Sequence, residues 1–364
     1  MSWVIATAAL FLAFSNGAND NFKGFATVWG AHALSYRNAL LLATFATVAG
    51  SIFSLLLAGE LVRAFSGAGL VPDSVAAAPH FMAAVATGAA VTVITATRTG
   101  FPISTTHALL GAMIGAGFAA SGSSLDLHHL GNKFVLPLLL SPVLAAACGM
   151  LVHQGLRRRQ SDADCLCLVE GAVSRPIEGE GASALQTISG LPSLVVASEQ
   201  SCDTIPVPAA RLTFSMFLDR AHIFSAATIC FARSVNDTPK LAALLIGAQV
   251  SGISSMVLVG AAIAFGGLIL ARRVAETMSL RLNTMDARQG VSANLITAGL
   301  VLLASRYGLP VSTTHVSVGS IAGVGLGAGT TNWSVLRNVL LSWAATLPLA
   351  ALSAWLAARA LMTL

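Results

Sequence analysis

The sequence predicts an all-α polytopic membrane protein made of two inverted repeats, with broken helices and re-entrant hairpins. Composition, long apolar runs and a duplicated pair of motifs lead to this prediction. Of the 364 residues, 55% are hydrophobic and 10% are charged, whereas soluble domains carry about 25% charged residues. So few charged residues cannot cover the surface of a soluble protein of this length, which excludes soluble enzymes and nucleic-acid-binding proteins.

Apolar runs of about 17 to 25 residues, the length that crosses a bilayer, form two series along the chain. The first series predicts a membrane repeat over residues 1–155, and the second predicts another over 213–364. Residues 156–212 lie between them and hold 12 of the 35 charged residues and four prolines. That composition predicts a polar cytoplasmic loop or small subdomain without a binding site.

Two motifs show that the halves are related. Residues 96–111 and 304–319 align without a gap at nine identical positions of sixteen, and both contain the sequence STTH. Residues 16–24 and 233–241 share Asn-Asp, followed by a Lys three positions after the Asp. Duplication of half a polytopic chain is typical of secondary transporters, whose substrate sites lie where the repeats meet.

The distribution of arginine predicts that the repeats are inverted. The segment 60–79 contains one Arg, whereas its counterpart at 272–290 contains four. Since Arg and Lys favour cytoplasmic loops, the two segments are expected on opposite sides of the membrane. We therefore expect a multi-pass protein of the cell (inner) membrane, with the central segment in the cytoplasm and the N-terminus outside.

Four charged residues stand within apolar stretches: Asp20, Lys23, Asp237 and Lys240. Each costs roughly 2.5 to 3.5 kcal/mol at membrane depth and usually marks a substrate or ion path. One interpretation is two structural ion pairs, one in each half. Their repetition at equivalent positions favours a common substrate-binding centre.

Each STTH segment predicts a helix that begins inside the membrane. A Gly-x-Pro sequence ends the preceding helix, and the Ser is a favourable N-cap. Two helix N-termini facing each other could enclose a tetrahedral oxyanion, although a helix break with simple capping is the alternative. The predicted binding residues are Ser104, Thr105, Thr106, Ser312, Thr313 and Thr314.

His107 and His315 follow these triplets and are expected either to brace the loops or to take part in proton coupling. An intramembrane hydrolase would use Ser104 or Ser312 with the neighbouring His. A duplicated nucleophile and the absence of a GxSxG motif disfavour that enzyme. A passive channel is a further alternative, but buried Asp and Lys suit tight binding better than conduction.

The GAND and ND sequences, together with a PxSTTH in each half, resemble those of the inorganic phosphate transporter (PiT) family. The resemblance covers both halves and implies a phosphate symporter of two inverted repeats that forms a homodimer in the lipid bilayer. The low content of charged residues argues against a nucleic-acid partner. It implies that the two Asp and the two STT triplets surround phosphate. It also implies that Asn19 and Asn236 line the same centre and help to hold coupling cations, commonly sodium.

The chain departs from the family pattern at Lys23 and Lys240, where the family typically has Asn. A fixed ammonium beside each Asp would repel sodium and could replace its charge. We therefore expect a secondary active phosphate transporter that works by alternating access, without a cofactor, and is coupled to H⁺ in preference to Na⁺. Sulfate, or another oxyanion, is the alternative substrate.

Overall fold

Both membrane halves consist of helices. The computed structural model describes residues 1–57, 59–122, 125–157, 165–176, 185–197, 210–281 and 285–363. The helices of the first half are α1 Ser2–Asp20, α2 Ala26–Gly30, α3 Tyr36–Leu57, α4 Gly59–Ala64, α5 Asp73–Ala76, α6 Pro79–Thr99, α7 Thr105–Ser121, α8 Leu127–Leu130 and α9 Leu136–Arg157. A 3₁₀ turn, Lys23–Phe25, lies between α1 and α2, and a π-helical turn, Gly131–Val135, lies between α8 and α9.

The second half follows a similar order. Its helices are α10 Phe214–Leu245, α11 Gly252–Leu270, α12 Arg272–Glu276, α13 Ala287–Arg306, α14 Thr313–Ala328 and α15 Trp333–Leu361. A 3₁₀ turn, Ile246–Ala248, follows α10, and a π-helical turn, Thr277–Arg281, follows α12. In both halves a long helix leads through a short loop into a helix that begins with Thr-Thr-His.

Five helical segments of the described chain are long and apolar enough to cross a membrane. They are Tyr36–Leu57, Pro79–Thr99, Leu127–Gly155, Gly252–Leu270 and Trp333–Leu361. Helices α1 and α10 are outside this set because Asn, Asp, Lys and Arg interrupt their apolar sequence. These observations confirm the prediction of a helical membrane protein.

Helix α1 packs against α6 and α11, and glycine allows its close approach to α11. A Cβ atom at Gly17 would lie 1.8 Å from the carbonyl oxygen of Ile263, and one at Gly266 would lie 1.9 Å from that of Phe14. Only glycine permits two backbones to approach so closely. This packing fixes the last turn of α1, which carries Asp20, in the protein interior.

The expected interruption is present in the first half but not in the second. Helix α1 ends at Asp20, and the chain resumes as the 3₁₀ turn beginning at Lys23. Helix α10 continues through Asp237 and Lys240 for 32 residues, with Pro239 inside it. The residues after each lysine explain this difference. Gly24, which disfavours a helix, follows Lys23, whereas the helix-favouring sequence LAALL follows Lys240.

The chain divides into two compact units. One joins Met1–Gln154 with His222–Leu364, so both membrane halves form a single unit, and the other is Gly155–Ala221. The second unit contains an antiparallel sheet in the order β2-β1-β3, formed by β1 Cys165–Pro176, β2 Leu185–Ala197 and β3 Ala210–Thr213. The all-α prediction therefore applies to the membrane unit. The sequence gives little sign of this sheet, because prolines and charged residues interrupt its β-favouring runs, such as that at 194–197.

Candidate anion-binding site

Two buried Asp–Lys ion pairs form the centre of the membrane unit. Asp20 and Lys23 pair across the end of α1, and Lys240 Nζ lies 3.4 Å from Asp237 Oδ1 within α10. The exposed fraction of each of these four residues is between 1% and 4%. Buried charges of this kind must be paired and hydrogen-bonded, because removing them from water is costly.

Each lysine also connects the two halves. Lys23 Nζ donates a hydrogen bond to Ile103 O at 2.9 Å and another to Thr314 Oγ1 at 2.6 Å. Lys240 Nζ donates to Val311 O at 2.8 Å and to Thr106 Oγ1 at 2.8 Å. Each ammonium thus contacts a backbone carbonyl of its own half, that of the residue before the Ser. It also contacts the hydroxyl of a Thr in the other half.

The threonines repeat this exchange. Thr106 Oγ1 donates to Val311 O at 3.2 Å, and Thr314 Oγ1 donates to Ile103 O at 2.9 Å. These partners occupy equivalent positions in the two STTH segments. Such reciprocal contacts are those expected of two units related by a two-fold axis.

Local backbone structure places the two STT segments at helix N-termini. Gly100 and Gly308 adopt left-handed conformations, with φ of 78° and 63°, and end the preceding helical segments. Ser104 and Ser312 then cap α7 and α14 by accepting hydrogen bonds from the backbone N–H groups three residues later, at 3.1 and 3.2 Å. Both serines therefore support the helix starts, as predicted from their position.

The triplet threonines are not equivalent in their bonding. Thr105 Oγ1 donates to Asp20 Oδ2 at 3.3 Å and accepts from Asn16 Nδ2 at 2.9 Å. Its counterpart, Thr313, is 6% exposed, and its hydroxyl has no hydrogen bond to any residue in the described part of the chain. Thr313 therefore retains a free hydroxyl donor.

The two predicted site asparagines hold the loops in place. Asn19 Nδ2 donates to Thr97 Oγ1 and to Phe101 O, both at 3.0 Å. Asn236 Nδ2 donates to Val311 O at 3.3 Å, and Asn236 Oδ1 accepts from Ser305 at 3.1 Å. Thr97 and Ser305 are also equivalent positions, so the support is repeated in the two halves.

The histidines pack against one another beside the helix starts. The ring centroids of His107 and His315 are 4.4 Å apart in an edge-to-face arrangement. His315 also stacks on Trp343, with 3.8 Å between centroids, and its Nδ1 lies 3.4 Å from Leu138 O. This packing favours the first of the two predicted roles, bracing of the STTH loops.

Two central residues, Asn16 and Arg233, stand outside the set of predicted binding residues. Asn16 Nδ2 lies 3.0 Å from Asp20 Oδ2 and 3.4 Å from Asp237 Oδ2, and therefore bridges both carboxylates. Arg233 Nη1 donates to Asn16 Oδ1 at 3.3 Å. The sequence contained a signal for both residues, because each stands four positions before the repeated Asp.

The centre therefore combines three cationic groups, several hydroxyl and amide donors, and two carboxylates. Cations and hydroxyl groups can donate hydrogen bonds to an oxyanion, and carboxylates can accept them from a protonated oxyanion. The structure brings together the predicted residues Asp20, Lys23, Asp237 and Lys240 with Thr105, Thr106 and Thr314. Thr313 is buried next to Thr314 without a hydrogen bond from its hydroxyl in the described chain, and Ser104, Ser312, Asn19, Asn236, His107 and His315 lie in the surrounding supports.

Comparison with known families agrees with this arrangement. A model described as "Phosphate transporter family" matches residues 16–354. The chain belongs to the phosphate transporter family. Membership confirms the predicted resemblance. It also excludes the hydrolase alternative, because the family consists of transporters.

Individual relatives extend over nearly the whole chain. A Pyrococcus horikoshii protein named "Putative phosphate permease" is 27% identical over 405 residues, with coverage of 99% of this chain and 98% of that protein. A Mycobacterium tuberculosis protein of the same description is 25% identical over 475 residues, covering 96% of this chain and 85% of the relative.

A solved structure supports the fold of this family member. The structure titled "The sodium-dependent phosphate transporter" matches with a TM-score of 0.79 and 21% sequence identity. The match covers 100% of this chain and 99% of the other chain. It confirms the polytopic helical architecture.

We predict that Lys23→Met destabilises this phosphate transporter family member by about 3 to 5 kcal/mol, because it leaves Asp20 buried without its ion-pair partner. The double variant Asp20→Asn/Lys23→Met removes both charges and should recover most of that loss. Thermal unfolding of the full chain in detergent measures both effects.

Arg272→Met is the matched control, since the Arg272–Glu276 pair is exposed and its loss should cost less than about 1 kcal/mol. A melting temperature for Lys23→Met equal to that of the unmodified protein would show that the buried ion pair does not stabilise the fold.

Proposed function

We propose that this chain is a secondary active transporter of inorganic phosphate, which binds its substrate among the two Asp–Lys pairs and the STT helix starts. The observation that supports this proposal is the reciprocal bonding of Lys23 and Lys240 across the two halves. Groups from both halves meet at one buried centre, so a substrate bound there would contact both. That arrangement suits alternating access between inverted repeats and their re-entrant hairpins.

The chemistry of the centre favours phosphate over sulfate. Protonated phosphate can donate hydrogen bonds to the Asp20 and Asp237 carboxylates while its other oxygens accept bonds from ammonium and hydroxyl groups. Sulfate has no proton to donate at neutral pH and would face two carboxylates as a pure acceptor. This difference would discriminate against sulfate through repulsion.

The surroundings of each lysine support coupling to protons rather than to sodium. The Lys23 ammonium contacts a carboxylate, a backbone carbonyl and a hydroxyl oxygen, and Lys240 has the same three kinds of partner. Such oxygen ligands suit a hard metal cation. Here a tethered ammonium occupies each position, so we propose that the lysines replace metal cations that a sodium-dependent relative would bind.

Uptake into proteoliposomes tests the substrate. We expect the purified chain to take up labelled phosphate, with competition from arsenate but not from sulfate. Thr313→Val should raise the KM for phosphate by about tenfold, because it removes a free donor to a charged ligand, worth about 1.5 kcal/mol or more.

Thr95→Val is the matched control for this substitution. The Thr95 hydroxyl is exposed on α6 and bonds to its own helix backbone at Val91 O, so its loss should leave KM unchanged. Uptake of labelled sulfate in place of phosphate would establish the alternative substrate, and an unchanged KM for Thr313→Val would place the site elsewhere.

A second uptake measurement tests the coupling ion. Replacement of sodium by choline on both sides should leave phosphate uptake by the unmodified chain unchanged, because the lysines already supply the positive charge. Lys23→Asn/Lys240→Asn should abolish uptake or make it require sodium, since two buried carboxylates lose their partners. Loss of uptake by the unmodified chain in choline would refute the proposed role of the lysines.

A further inference from the structure

Arg233 is a third fixed cation of the central site and breaks the equivalence of the two halves. It stands four residues before Asp237 on α10, whereas the equivalent position before Asp20 is the neutral Asn16. Arg233 is 1% exposed, and it is the largest side chain among the fully buried residues. The repeat itself therefore does not require a cation at this position.

Among the described residues, Arg233 has no carboxylate with which it pairs exclusively. Its Nη2 donates to Thr47 Oγ1 at 2.9 Å and to Asn21 Oδ1 at 3.4 Å, and both acceptors are neutral. Among the described residues, Asp237 provides the one carboxylate within 4 Å of the guanidinium, at 3.8 Å, and it already pairs with Lys240. The buried Nε–H of Arg233 has no hydrogen-bond partner in the described chain, so one donor of the guanidinium is unused.

The net charge of the centre follows from these pairings. Each Asp–Lys pair sums to zero, whether or not a proton moves from the ammonium to the carboxylate. A guanidinium group carries a fixed positive charge in proteins. The titratable side chains near Arg233 in the described residues are Asp20 and Lys23 from the first half, and Cys230 and Asp237 from its own helix, where Asp237 also pairs with Lys240. The side chains of the centre therefore sum to a net charge of about +1.

We propose that Arg233 makes the site selective for a singly charged oxyanion, dihydrogen phosphate or its arsenate counterpart. This inference rests on the proposed function and specifies the ionic form of its substrate. A monoanion gives a neutral complex in the buried site, whereas sulfate or hydrogen phosphate leaves an unbalanced negative charge. Hydrogen phosphate would enter only after it takes up one proton, and the proton coupled to transport would then travel on the substrate.

Phosphate counterflow in proteoliposomes with equal pH on both sides tests the ionic form. Measured against total phosphate, KM should rise by roughly tenfold for each pH unit above the second ionisation of phosphate, because the dihydrogen fraction falls by that factor. When KM is expressed as the concentration of dihydrogen phosphate alone, it should stay constant with pH. A tenfold excess of arsenate should compete at low pH, whereas the same excess of sulfate should not compete at any pH.

Two substitutions at Arg233 separate its charge from its packing. Arg233→Lys keeps the charge and loses most of the hydrogen bonds, and should show a KM within a few-fold of the unmodified value together with the same pH profile. Arg233→Gln removes the charge and should raise KM at least tenfold. Arg337→Gln, on the exposed side of α15, is the control and should leave both values unchanged.

The possible outcomes are distinct. A KM for total phosphate that is independent of pH, or competition by sulfate equal to that by arsenate, would overturn the inference for the unmodified chain even if no variant folds. Equal impairment of the Lys and Gln variants would show that Arg233 acts through packing. Absence of phosphate counterflow at every pH would instead refute the proposed function, and the inference that rests on it.

Discussion

The bond from each buried lysine to the opposite half is the interaction on which the rest of the structure depends. Lys23 reaches Thr314, and Lys240 reaches Thr106, so neither half satisfies its own central charges alone. Breaking one contact leaves a buried ammonium short of one hydrogen-bond acceptor, which is costly in the protein interior. The two halves are therefore connected by the same groups that are proposed to bind the substrate.

This arrangement explains why the surrounding elements are built as they are. Gly17 and Gly266 bring α1 and α11 so close that the end of α1 is held rigidly. Asn19 and Asn236 tie the loops before the STT helices to the motif helices. The site is thus preorganised by packing and hydrogen bonds, which reduces the ordering that an oxyanion must impose when it binds.

Sequence reasoning predicted most of the centre because the duplication is visible in the primary structure. The repeated Asp and Lys residues meet Thr105, Thr106 and Thr314 at one centre, and Ser104 and Ser312 cap their helices as their local sequence predicts. Three features required the structure. The exchange of partners between halves is a tertiary contact, and the continuity of α10 depends on the residues after Lys240. The sheet formed by residues of the central segment of the sequence has a weak local signal.

Asn16 and Arg233 show a different limit of sequence reasoning. A comparison of the halves identifies positions that are the same, whereas these two residues occupy equivalent positions and differ in charge. Their importance becomes clear only when Asn16 is seen to bridge Asp20 and Asp237. Specificity within a duplicated site can therefore reside where the repeats diverge, and the repeated pattern alone does not reveal it.

Equilibrium binding in the absence of sodium tests the central claim most directly. If tethered ammonium groups supply the cations of the site, phosphate should raise the melting temperature of the detergent-solubilised chain in choline buffer, with a shift that grows with the logarithm of phosphate concentration. Sodium alone should cause no shift. Stabilisation by phosphate that occurs only when sodium is present would contradict the account.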